Sequence, residues 1–246
     1  MSAGSKAKAP THSRARNMIH FHRDLENLEK RVWMLASRVL QTVDQAIQAL
    51  CERQIELALA LLEPDVDTQI DQEEVEVENE CLKILALYQP VATDLRRVAG
   101  ILKINTDLER MGDLSINIAE RAVAFLRGRV ILPTPPQLRE MTDLAKVMVH
   151  RSLEAFRRND SQLAREICLM DERVDRINCQ IIEHLIGVMK QSPDNIEPGL
   201  NLFSTSRHLE RIADHATNIA EDVVYMVEGE IIRHHPEALV RETTRH

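Results

Sequence analysis

The sequence has little glycine and few aromatic residues. It contains 7 glycines among 246 residues, and Phe, Trp and Tyr together make up 3% of the chain. Strands favour aromatic and β-branched residues, so this composition argues against a sheet-rich fold. Charged residues at 28% and hydrophobic residues at 44% suit long amphipathic helices. We therefore expect an all-α protein.

The sequence also lacks the marks of secretion, of a membrane span and of nucleic-acid binding. Its four cysteines form no C-x-x-C pair, and residues 1–17 have no apolar core of a secretory signal. Reduced thiols in a cytoplasmic protein are expected. No run of 18 apolar residues is present, which predicts no membrane span. A formal net charge of −8 argues against nucleic acid as a main partner.

No recognisable catalytic motif is present. The Glu-x-x-His pattern of di-iron helical bundles does not occur, and there is no glycine-rich phosphate loop with its lysine. No Ser or Cys lies in a known nucleophile frame. These absences predict a protein without enzymatic activity and without catalytic residues.

What the chain does contain is an internal repeat. The frame L-E-R-x-x-D-x-x-x-N-I-A-E occurs at residues 108–120 and again at 209–221, 101 residues apart. A repeat at a domain-sized offset indicates two related halves and not a solenoid of short units.

The repeat places acidic and amide side chains on one helical face. Glu109, Asp113 and Asn117 are spaced at i, i+4 and i+8, and in the second copy the same positions hold Glu210, Asp214 and Asn218. Like charges at this spacing destabilise a helix slightly, whereas a bound cation would stabilise the same face. Because all the donors are oxygens, hard or borderline ions such as Mg²⁺, Mn²⁺, Ca²⁺ or Fe would suit them.

One such pair alone is weak evidence for a metal site. A chain with 39 acidic residues should contain about six i,i+4 acidic pairs by chance. The common register of the two copies is more specific, and each half has a further pair upstream. The predicted metal ligands are Asp67, Asp71, Glu109, Asp113, Asp171, Asp175, Glu210 and Asp214, with Asn117 and Asn218 as accessory candidates.

The hydrophobic spacing predicts six helices in two tandem, sequence-related three-helix bundles. The first bundle is expected at residues 18–128 and the second at 137–230, joined by a proline-rich linker at 129–136. Within the first bundle, Pro64 should kink or break the second helix. Residues 1–17 are predicted to be a disordered basic tail, and residues 231–246 a C-terminal tail.

The segments at 89–98 (QPVATDLRRV) and 107–113 (DLERMGD) resemble the PhoU family of bacterial phosphate uptake regulators. The resemblance spans about residues 20–230 and includes both repeat copies. It departs from the family pattern in one respect: the Asp94-Leu95-Arg96 element has no counterpart before the second copy. Whether the two halves bind ions or partners equally is therefore left open by the sequence.

The resemblance implies a function beyond what the spacing shows. It implies a cytoplasmic, commonly dimeric negative regulator of the phosphate-starvation response, located near the inner membrane through its partners. Those partners would be the phosphate ABC transporter and the phosphate-sensing histidine kinase, and phosphate uptake would be restrained. The family's E(D)-x-x-x-D metal motif falls on the same eight carboxylates, with Mg, Mn, Fe or Zn left open as the divalent or trivalent ion.

Two alternatives remain open from the residues alone. Clustered carboxylates holding two ions can activate water, as in a metal-dependent phosphohydrolase, although the accompanying His ligands and Lys or Arg clamp are missing. The chain could also be a metal-binding or metal-buffering helical protein. Metal identity and stoichiometry, the oligomeric state and the partner surfaces do not follow from the sequence.

Overall fold

The structure is a computed structural model that describes residues 11–233. In this range the chain forms eight α-helices and one 3₁₀ turn at Pro193–Asn195. The helices are α1 Thr11–Cys51, α2 Ile55–Leu61, α3 Pro64–Tyr88, α4 Ala92–Arg127, α5 Pro136–Arg158, α6 Ser161–Cys168, α7 Asp171–Met189 and α8 Ile196–Glu228. The prediction of an all-α protein built from two related helical bundles is confirmed.

Each half contains three long helices and one short one. In the first half α1, α3 and α4 pack together, with α2 against α1 and α4. In the second half α5, α7 and α8 pack together, with α6 against α5 and α8. The most extensive helix pair is α4 with α8, so the two repeat copies form the junction between the halves. No helix within residues 11–233 is both long and apolar enough to cross a membrane.

Two predicted long helices are each divided in two. The predicted break at Pro64 occurs: α2 ends at Leu61, and Pro64 is the first residue of α3, where its missing N–H costs nothing. Hydrophobic spacing also predicts one continuous fifth helix from about Gln162 to Met189. This prediction was wrong, because α6 ends at Cys168 and α7 begins at Asp171. The break is a turn in which Met170 N–H donates to the Ile167 carbonyl at 2.9 Å. The turn contains neither glycine nor proline, so the sequence does not indicate it.

The breaks place the upstream carboxylate pairs at the beginnings of helices. Asp67 lies in the first turn of α3, and Asp171 is the first residue of α7. The positive end of the helix dipole stabilises carboxylates at these positions. Negative charge is therefore concentrated at the corresponding place in each half.

The ends of the chain differ from the predicted tails. Helix α1 begins at Thr11, so the predicted tail boundary at residue 17 falls inside a helix. Residues 1–10 and 234–246 of the predicted tails lie outside the described residues. Ile232, which was assigned to the C-terminal tail, is 3% exposed.

The α4–α8 junction is antiparallel. Lys103 on α4 pairs with Asp222 on α8 at 2.8 Å, and farther along α4 Asp107 accepts a hydrogen bond from Asn218 at 3.2 Å. Leu108 and Leu209, the first residues of the two repeat frames, are both fully buried. The apolar side of each repeat therefore forms core, and the carboxylates beside it face α3 or α7.

Candidate metal centre

Three of the predicted ligands come together in the first half. Asp67 and Asp71 on α3 and Asp113 on α4 each offer a carboxylate oxygen, and the three oxygens lie within 4.8 Å of one another. Within residues 11–233 this is the one group of three or more acidic, His or Cys side chains whose ligand atoms approach so closely. We call it the first carboxylate site, and it includes the neighbouring Glu109.

The close approach of α3 and α4 depends on Gly112. A Cβ at this position would lie 3.1 Å from Cδ1 and 3.2 Å from Cγ2 of Ile70, tighter than ordinary van der Waals contact. Gly112 stands next to Asp113, and Ile70 stands next to Asp71. The absence of a side chain at residue 112 thus sets the distance between the two carboxylate-bearing helices.

The first site holds negative charge that water does not fully screen. Burial raises the pKa of Asp67, and the charges of Asp71 and Asp113 raise it further. Burial also raises the pKa of Glu109, and the charge of Asp113 raises it further. A cation among these groups would relieve both the repulsion and the desolvation cost, so the residues present fit a metal ion.

Sequence reasoning missed Glu74, which extends this site along α3. Burial raises its pKa, and the charges of Glu78 and Asp71 raise it further. Asn105 on α4 donates from Nδ2 to the Glu74 carbonyl at 2.9 Å and to Glu74 Oε1 at 3.2 Å. The available signal was the i+3 and i+7 spacing of Glu74 from Asp71 and Asp67, which a search for i,i+4 pairs passes over.

In the second half the four predicted ligands lie close enough for their charges to affect one another's pKa. We call Asp171 and Asp175 on α7 with Glu210 and Asp214 on α8 the second carboxylate site. The pKa of Asp214 is raised to about 6, first by desolvation and then by the charges of Asp171, Glu210 and Asp175, while His215 opposes the shift. Burial also raises the pKa of Asp171, although a 3.2 Å hydrogen bond from Thr217 Oγ1 lowers it.

An unsatisfied oxygen supports a cation at the second site as well. Glu210 Oε2 is buried and has no hydrogen-bond partner, while Oε1 accepts from Arg207 at 2.6 Å. A buried carboxylate oxygen without a partner is costly, and a metal ion would supply the missing interaction. All the donors at both sites are oxygens, which does not select among Mg, Mn, Fe and Zn.

The two accessory asparagines are placed differently. Asn218 shares a surface pocket with Asp171 and Asp214, but its Nδ2 donates to Asp107 Oδ1 at 3.2 Å. His215 Nδ1 lies 2.7 Å from the same oxygen of Asp107. Asn117, on the first copy, is half-buried. Asn218 therefore connects the second site to α4, a role that the spacing did not indicate.

A family model describes both halves. The PhoU domain model matches residues 33–122 and again residues 138–223, and each match contains one copy of the L-E-R frame. The chain belongs to the PhoU family. The resemblance seen in the sequence is thereby confirmed.

Similar proteins cover nearly the whole fold. The phosphate-specific transport system accessory protein PhoU homolog of Aquifex aeolicus is 40% identical over 86% of this chain and 95% of that relative. The homolog of the same name from Pseudomonas aeruginosa is 36% identical over 87% of this chain and 88% of its own. These names describe accessory proteins and not enzymes, in agreement with the prediction.

Solved structures from two organisms share the architecture. The crystal structure of PhoU from Pseudomonas aeruginosa superposes with a TM-score of 0.82 at 35% identity, covering 85% of this chain and 100% of that one. The phosphate transport system regulatory protein PhoU from Streptococcus pneumoniae gives 0.77 at 33% identity, covering 86% and 98%.

Residues 94–97, the D-L-R-R element, contact both halves. Arg97 pairs with Glu29 on α1 and donates to Asn159 Oδ1, just after α5, at 3.0 Å. Arg96 packs against Gly229 at the other end of the chain. The element therefore joins one half to the other at one end of α4.

Proposed function

We propose that this PhoU-family chain is an accessory regulator of phosphate transport that keeps the phosphate-starvation response off when phosphate is plentiful. The relatives' names, at 36–40% identity and over most of each chain, support a role with the phosphate transport system. On this proposal the protein works in the cytoplasm, as a homodimer. It links the phosphate ABC transporter to the sensor histidine kinase and restrains uptake.

The observation that carries the metal part of the proposal is the first carboxylate site. Three carboxylate oxygens from two helices lie within 4.8 Å of one another. Asp67, Asp71, Glu109 and Asp113 would hold the ion there, and Asp171, Asp175, Glu210 and Asp214 would do so in the second half. When bound, the ion supplies a cross-link between α3 and α4 or between α7 and α8, which would stiffen each bundle as a docking surface for the partners.

Such an adaptor needs different affinities for two states of its partner. A regulator can shift a transporter or kinase between two states only by binding one of them more tightly. On this proposal, the packing of α4 on α8 would hold the carboxylate sites of the two halves in one arrangement for that discrimination.

The regulatory proposal is tested by alkaline phosphatase output in phosphate-replete cells of the source organism. We expect high output in the deletion strain and low output when the intact gene is restored. Equal output in the two strains contradicts the regulatory proposal.

The metal proposal is tested separately on purified protein. Replacing Glu109 and Asp113 together with Ala should lower bound metal, measured by elemental analysis, while circular dichroism stays helical. Unchanged metal content with unchanged helicity would exclude this face as the site. Turnover of phosphoesters with added Mn²⁺, abolished by Asp113→Ala, would instead favour a metal-dependent phosphohydrolase.

A further inference from the structure

The chain folds back on itself immediately after α8. We call residues 229–233 the C-terminal strap. Gly229 takes a φ of +76°, a left-handed conformation that glycine adopts without strain, and its N–H donates to the Tyr225 carbonyl at 2.9 Å. Ile232 is 3% exposed and fixes the strap to the core. The strap therefore has a defined course along α8.

This course brings a guanidinium to the second carboxylate site. Arg233 Nε donates to Glu221 Oε2 at 2.9 Å. One pocket is lined by Arg233 together with Asp171, Asp214, Thr217, Asn218 and Glu221. The chain thus places a cation of its own at the edge of the pocket that contains two of the predicted metal ligands.

Glu221 stands between two possible partners. It lies seven residues after Asp214 and so shares its face of α8, two helical turns along. Its negative charge is among those that act on Asp171. In the described state Glu221 pairs with Arg233, but from the same helical position it can face an ion held by Asp171.

We propose that Glu221 is an additional cation ligand of the second carboxylate site and that Arg233 is an intramolecular competitor for it. This inference rests on the proposed metal binding. A divalent cation at the second site draws Glu221 away from Arg233, so binding of the ion loosens the end of the C-terminal strap. The strap in turn weakens binding of the ion at this site.

In the described residues the first carboxylate site has no counterpart of Arg233, that is, no cation brought to it by a separate segment of the chain. After α4 the chain continues into the linker, and in the described residues no cation of the linker pairs with Glu109 or Asp113. Arg110 does approach Glu109 and Asp113, at 3.3 and 3.4 Å, but it is an adjacent side chain on the same helix and is 53% exposed. Because no turn or buried anchor holds it there, Arg110 can swing into solvent at little cost.

The test measures Mn²⁺ binding to the full-length protein by calorimetry after removal of metal by a chelator. A background with Asp67→Asn and Asp113→Asn leaves the second site as the one to be measured. In this background Arg233→Gln should tighten Mn²⁺ binding about tenfold, since an ion-paired hydrogen bond no longer has to be broken. Glu221→Gln should weaken binding, because it removes a ligand.

Opposite effects of the two variants separate competition from mere structural support, which would shift binding in the same direction for both. The matched control is Arg110→Gln in a background with Asp171→Asn and Asp214→Asn. Its effect on Mn²⁺ binding at the first site should stay below about threefold.

A second readout follows the strap itself. Hydrogen exchange of residues 229–233 in the otherwise unaltered protein should become faster when Mn²⁺ is added. If Mn²⁺ binds but Arg233→Gln leaves its affinity unchanged and exchange in the strap does not respond, the inference is wrong while the proposed metal function stands. If neither the unaltered protein nor any variant binds Mn²⁺, the proposed metal function fails, and the inference fails with it.

Discussion

At the scale of single residues, the raised pKa of Asp214 makes the stability of the folded protein depend on pH. Its pKa of about 6 lies above the ordinary value of 3.8 because desolvation and three neighbouring carboxylates oppose ionisation. The folded state therefore holds this proton more tightly than the unfolded state does. The resulting stabilisation is fully present below about pH 4 and is lost as pH rises through 6.

Asp214→Asn should consequently stabilise the metal-free protein at neutral pH. We expect a gain of about 1 kcal/mol at pH 7.5, reduced from the full shift because the side chain is partly exposed, and almost no gain at pH 4. Urea unfolding at the two pH values, with chelator present, measures the difference. An equal effect of the substitution at both pH values would contradict the raised pKa.

The repeat and the family motif together predicted which carboxylates line the two sites, because acidic pairs at fixed helical spacing can be seen in the sequence; that they bind metal stays a prediction. Their proximity across helices was predicted only in outline. Glu74 and Glu221 were missed because each stands seven residues from a motif Asp, on the same face but outside the E(D)-x-x-x-D window. The pairing of Arg233 with Glu221 depends on a chain reversal at Gly229 that spacing alone does not specify.

At the scale of helices, Gly112 determines the crossing of α3 over α4. A larger side chain at residue 112 must push against Ile70, which lies 3.1 Å from where a Cβ would stand. We expect Gly112→Leu to destabilise the fold by about 1–3 kcal/mol, as overpacked cores commonly do. It should also weaken Mn²⁺ binding at the first site, because it moves Asp113 away from Asp67 and Asp71.

Thermal unfolding and Mn²⁺ calorimetry would measure the two effects. Gly187→Leu is the control, because a Cβ at Gly187 meets nothing within 4 Å. If Gly112→Leu binds Mn²⁺ as tightly as the unaltered protein, the helix spacing does not set the site.

The helix breaks show why one element boundary could be predicted and another could not. Pro64 cannot continue a helix from the preceding turn, so the α2–α3 break follows from covalent geometry. The α6–α7 break at Leu169 and Met170 contains residues that are compatible with a helix. It arises in the tertiary fold, where α6 packs on α5 and α8 while α7 follows a separate course along α8. The periodicity of the sequence therefore does not predict where this helix break occurs.

At the scale of the whole molecule, the α4–α8 junction makes the two halves one unit. It contains an ion pair with one buried member: the Asp222 side chain is 3% exposed and accepts from Lys103 Nζ at 2.8 Å, while the Lys103 side chain is 52% exposed. Burial raises the pKa of Asp222, and the hydrogen bond from Lys103 counteracts that rise. Because the paired residues are 119 positions apart, nothing in the local sequence pattern indicates the contact.

Removing the charge of Lys103 should weaken the junction and therefore the whole protein. Lys103→Met keeps an apolar stem beside the Tyr225 ring but leaves the Asp222 carboxylate buried without its cation. We expect a loss of about 1–3 kcal/mol in the free energy of unfolding. Urea unfolding followed by circular dichroism should show one cooperative transition at a lower midpoint, since the halves share this core.

Lys83→Met is the matched control, because Lys83 pairs with Glu80 on the exposed surface of α3 and should cost less than about 1 kcal/mol. Adding Asp222→Asn to Lys103→Met should recover part of the loss, because the buried partner then carries no charge. Two separate unfolding transitions in the unaltered protein would show that the halves are independent. In that case a stiffened carboxylate site in one half could not influence a partner bound to the other through α4 and α8, and the adaptor would have to act through each bundle alone.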